Sequence, residues 1–122
     1  MFIRHLDDCE EFTAGDNTLL RELLHPDKQP LSIRYSLAHA TVKPGLTSFE
    51  HALETSEIYY ILQGNGLMYI NDEQSEVSAG HIIYIAPKSR QCIKTIGTED
   101  LVFLCIVDPA WRVEDEIVYP AS

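Results

Sequence analysis

The chain has 122 residues, with nine Lys and Arg against nineteen Asp and Glu for a formal charge of -10, and a surface of that sign repels nucleic-acid phosphates and anionic lipid heads. That length holds one domain with one core, and no apolar stretch reaches the ~20 residues needed to span a bilayer, so neither nucleic acid nor membrane is an expected partner. Cys9, Cys92 and Cys105 form no C-x-x-C pair, which speaks against a disulfide framework and a thiolate zinc site; with no basic, apolar leader in Met1–Asp8, the expected compartment is the reducing cytoplasm.

Residues 1–30 read as a segment packed against the domain that follows. Within it Leu19, Leu20, Leu23 and Leu24 recur at helical spacing behind Asp16 and Asn17 as caps, with Pro26 as a stop, so periodicity alone predicts a helix. An edge strand often occupies the same position when a barrel follows.

From Leu31 to Asp108, β-branched and aromatic runs are cut at short intervals by turn formers such as Lys43-Pro44-Gly45, Gly64-Asn65-Gly66 and Ser78-Ala79-Gly80, the pattern of an all-β sandwich or barrel. Eight strands are expected, near 31–42, 48–53, 57–63, 66–71, 74–78, 81–85, 90–96 and 101–108. The tail, 109–122, is polar enough to lie on the surface as a turn or short helix pinned by Trp111.

One spacing carries chemistry: Gly45-x5-His51-x-Leu53-x3-Glu57-x6-Gly64. Side chains alternate along a strand, so His51 and Leu53 share one face, while Glu57, Tyr59 and Ile61 share one face of the next strand. If both faces point inward, His51 and Glu57 converge. A buried Glu is rare unless paired, so Glu57 requires a partner there. His5, His25 and His81 lie outside this pattern and read as surface or packing residues.

This stretch resembles the first motif of the cupin family, G-x5-H-x-H-x3/4-E-x6-G, at every fixed position except Leu53. The second family motif, G-x5-P-x-G-x2-H-x3-N, is matched more loosely: Gly80 is kept, Pro87 sits one place late, and Lys88, Gln91 and Thr95 replace Gly, His and Asn. The resemblance, over residues 31 to 108, implies an all-β double-stranded β-helix, the jelly-roll barrel. It implies a divalent metal (Mn, Fe, Ni or Zn) on His51, Glu57 and Gln91, completed by water, since Leu53 has no donor and Gln91 offers only a weak amide oxygen. By strand alternation the substrate pocket is expected to include Leu53, Ile61, Gln91, Ile93, Phe103 and Cys105. The family also implies a homodimer, with Thr18–Leu24 the segment expected to pack or exchange across the two-fold axis.

Three functions fit these residues. A metal-dependent dioxygenase, isomerase or lyase accounts best for His51 and Glu57, with Glu57 or Tyr59 moving protons. A metal-free enzyme using His51 and Glu57 as acid and base accounts for Leu53. A non-catalytic sugar or metabolite module needs no intact site. All three take a small-molecule ligand.

Overall fold

The computed structural model describes residues 1–119; the last three residues of the expected tail, 120–122, lie outside the described residues. Eleven strands form among the described residues: β1 (Glu11–Thr13), β2 (Leu19–Leu24), β3 (Ser36–Val42), β4 (Glu50–Leu53), β5 (Ser56–Gln63), β6 (Asn65–Ile70), β7 (Glu73–Ser78), β8 (Ile82–Ile85), β9 (Gln91–Ile96), β10 (Leu101–Asp108) and β11 (Glu116–Tyr119). They make two antiparallel sheets, ordered β1-β2-β3-β10-β5-β8 and β11-β4-β9-β6-β7. None of the described helices is long and apolar enough to cross a membrane.

Alternation drives the packing. In β10 the odd residues Leu101, Phe103, Cys105 and Val107 are buried while the even ones are not, and Glu57, Tyr59 and Ile61 are the buried set of β5. The inner faces meet in a core whose centre is Ile61, Ile85, Ile93, Leu101 and Phe103. The turn that ends β5 requires glycine: Gly64 has φ 88°, and a Cβ there would meet the Asp100 carbonyl oxygen at 2.5 Å.

The helix that leucine periodicity predicts over residues 18–24 does not form. Leu19–Leu24 is strand β2, paired with β1 on one side and β3 on the other. Two consecutive leucine pairs satisfy a helical stripe and both faces of a strand equally well, and six residues are too few for a stable isolated helix. Two neighbouring strands decide the matter by taking up its backbone groups. The segment expected to pack or exchange across a two-fold axis is thus an interior strand of its own chain's sheet.

The tail differs too. After a short 3-10 turn at Val113–Asp115 it becomes β11, whose register sets Glu116 opposite Leu53 and Val118 opposite His51. Residue 111 ties it down through its main chain: the Trp111 backbone N–H donates to Ser36 Oγ (2.9 Å), and His25 Nε2 bonds the Trp111 backbone carbonyl (2.8 Å). His25 is thus a packing residue. Residues 31–35 remain irregular, and the first long strand starts at Ser36.

Candidate active site

Between the sheets lies a cavity of about 280 Å³. β4 supplies His51 and Leu53 to its wall, β5 supplies Glu57 and Tyr59, and β10 supplies Phe103, Cys105 and Val107. Strand β2 and the turn before it close one side with Asp16 and Leu20, and β11 adds Glu116.

His51 is 2% exposed. Its Nδ1 lies 3.1 Å from the Phe49 carbonyl oxygen, which can only accept, so Nδ1 carries a proton and Nε2 is the ring nitrogen left to exchange one. Nε2 stands 3.7 Å from Asp16 Oδ2. Asp16 is itself locked, its Oδ1 accepting from the Thr18 amide (3.2 Å) and hydroxyl (2.8 Å). Phe49 also donates its N–H to the Asp16 carbonyl (2.7 Å). One backbone residue thereby orients both members of the pair.

Glu57 is 6% exposed, and its partner is Gln91, whose Nε2 donates to Glu57 Oε1 at 2.8 Å. Burial pushes the Glu57 carboxyl up to about 7; His51 and the Gln91 bond pull it back, and the carboxylates of Asp16 and Glu116 push it further. Glu116 is raised as well, by burial first, with His51 opposing and Asp16 adding. Burial, then repulsion from Glu57, holds the Tyr59 hydroxyl and the Cys105 thiol well above their ordinary values. Both are held toward their protonated forms, able to donate a hydrogen bond.

Of the residues expected at the pocket, Leu53, Phe103 and Cys105 line the cavity with His51, Glu57 and Tyr59. Ile61, Ile93 and Gln91 are buried but not at its wall. Alternation identifies inward side chains, and here the inward faces run past the cavity into solid core, where Ile61 and Ile93 pack.

The residues present do not assemble the metal cage that the family motif implies. Leu53 has no donor, and Gln91 turns its amide N–H to Glu57 while its Oε1 is buried without a partner among the described residues. Among the described residues no group of three His, Cys, Asp or Glu side chains is placed to hold one ion. What assembles instead is His51 with Asp16, Glu57 and Glu116 around one cavity. Asp16 and Glu116 are not apparent in the motif: the first reads as a helix cap and the second as part of a surface tail. The β-prone run Glu116-Ile117-Val118-Tyr119 is the signal that marks the latter as a strand.

Residues 38–107 match the Cupin domain family. An uncharacterized protein of Methanocaldococcus jannaschii is 41% identical over 110 residues, covering 89% of this chain and 87% of that one. Among solved structures, a Cupin 2 conserved barrel domain protein from Salinispora arenicola superposes with a TM-score of 0.77 at 21% identity, over 93% of this chain and 91% of that chain. The polyketide cyclase of Streptomyces resistomycificus does so with a TM-score of 0.81 at 22% identity, over 100% of this chain and 87% of that chain; at such identities these likenesses concern the fold. Motif, barrel and relatives agree, and the chain belongs to the cupin superfamily.

Proposed function

We propose that this cupin is a small-molecule enzyme that moves protons on its ligand through His51 and Glu57, without a metal held at the family's four ligand positions. The observation that supports the reading is the convergence of His51 and Glu57 on one cavity, while the other two positions hold Leu53 and a Gln91 committed to Glu57. A carboxyl titrating at about 7 is poised to give or take a proton near neutrality. His51 Nε2 acts as the base, Asp16 at 3.7 Å stabilises the imidazolium that forms, and Glu57 in its acid form protonates the ligand's developing oxyanion. Reactions of this class are enolisations and isomerisations next to a carbonyl.

The test is solvent-deuterium exchange, followed by NMR, into a panel of small hydroxy- and amino-ketones with chelator-treated protein. Exchange is expected to persist after chelation and to fall about 100-fold or more in His51→Asn and Glu57→Gln. Exchange that requires an added divalent ion, or that ignores both substitutions, contradicts the reading.

The same proposal includes a homodimer. On the outer face of the larger sheet, Tyr60 pairs with Ile82 and Ile58 with Tyr84, and Ile82 and Tyr84 are 68% and 64% exposed. A chain of charge -10 repels its own copy over most of its surface. This uncharged patch beside an edge strand is where a second copy can approach.

A further inference from the structure

The charged and imidazole groups that face the cavity are acceptors. His51 spends its Nδ1–H on Phe49; Nε2, on a side chain 3% exposed, has no hydrogen-bond partner among the described residues, Asp16 Oδ2 standing off at 3.7 Å. Asp16, Glu57 and Glu116 add carboxylates from three separate elements. The nearby amide donor, Gln91 Nε2, is taken by Glu57. The one ammonium in the described wall, Lys28, is bonded to Glu22 at 2.6 Å. The Trp111 indole N–H is taken by Glu116, and hydroxyls such as that of Tyr59 can donate as well as accept. An anionic ligand would therefore meet like charge and no free cation.

The complementary ligand is one that brings donors and positive charge. A bare metal ion needs several ligands within about 2.0–2.6 Å of one point, and no three such side chains among the described residues are so placed. A polyatomic cation reaches dispersed acceptors through N–H groups at about 2.8–3.0 Å. Aromatic rings complete the fit, since Phe12, Tyr59, Phe103 and Trp111 also line the space, and such faces attract cations.

We propose that the cavity takes a small organic cation, a protonated amine whose N–H groups reach the carboxylates of Asp16 and Glu116, leaving His51 and Glu57 to move protons, and whose apolar body lies against Tyr59, Phe103 and Trp111. This rests on the reading of the cavity as a small-molecule site and adds the class of ligand.

Benzylamine, benzyl alcohol and benzoate have nearly the same frame and differ in charge, so calorimetric titration of the full chain with each reads the charge preference directly. Benzylamine is expected to bind about tenfold or more tighter than benzyl alcohol, with benzoate weakest. Asp16→Asn, which keeps an acceptor for Thr18, is expected to weaken benzylamine about tenfold and leave benzyl alcohol unchanged; Glu116→Gln serves as a second variant should the first fail to fold. Benzoate binding as tightly as benzylamine, or an amine preference that survives the substitutions, overturns the cation class while the small-molecule site stands. If no compound of any charge binds, both fall. Manganese or zinc ions that displace benzylamine stoichiometrically overturn the proposal in favour of a metal centre.

Discussion

Glu57 is the residue whose energetics pH controls. Unfolded, it titrates at its ordinary 4.5, and in the fold at about 7. Between those values the folded chain holds a proton that the unfolded chain has released, so stability falls as pH rises through that window and levels off above it. That displacement corresponds to about 3 kcal/mol. Glu57→Gln keeps an acceptor for the Gln91 amide and removes the charge. Urea denaturation is expected to show the variant gaining on the wild type by roughly that amount between pH 5 and pH 8; equal slopes for the two proteins would count against a buried, uncompensated carboxyl. His51 and Glu57 were legible in the sequence because a strand's two-residue period puts each on one face and the family motif implies that both faces point inward. Gln91 was legible as inward but not in its role, since its bond to Glu57 depends on which way a terminal amide turns. Asp16 was hidden because its place beside His51 depends on a turn 35 positions away.

At the scale of elements, the runs from Ser36 to Asp108 announce themselves through β-branched residues between turn formers, and the strands observed there lie close to those expected. β2 does not announce itself, because its leucine pairs fit a helical stripe as well as a strand and the pairing with β1 and β3 that decides is tertiary; β11 carries a β-prone run, but its partner β4 lies about 60 residues earlier, which local periodicity cannot register. The turn between β8 and β9 carries a local conflict. Lys88 stands where the family motif has glycine, yet its backbone keeps φ at 68°, a region in which a side chain costs ~1–2 kcal/mol. Its contact with Glu54, 3.9 Å between exposed groups, offsets little of that. Lys88→Gly is expected to raise stability by about 1 kcal/mol in chemical denaturation, with Lys88→Ala giving no gain. A gain for alanine equal to that for glycine would place the effect in the lysine side chain instead of the backbone.

For the whole molecule, the outer face of β5 and β8 is the feature that a barrel of this size does not bury alone. Light scattering is expected to give twice the chain mass at micromolar concentration, and Ile82→Glu with Tyr84→Glu to return the monomer with its fold intact. A monomeric wild type would remove the proposed interface. The larger question is what the cavity holds, because the family motif and the observed donors point in different directions. Elemental analysis of untagged protein, before and after loading with manganese, iron, nickel or zinc, decides it when run beside the double variant Leu53→His, Gln91→His, which restores imidazoles at the two altered positions. Only trace metal is expected in the wild type under all loadings, and about one ion per chain in the double variant. About one ion per wild-type chain, lost in His51→Ala and Glu57→Gln, would contradict it.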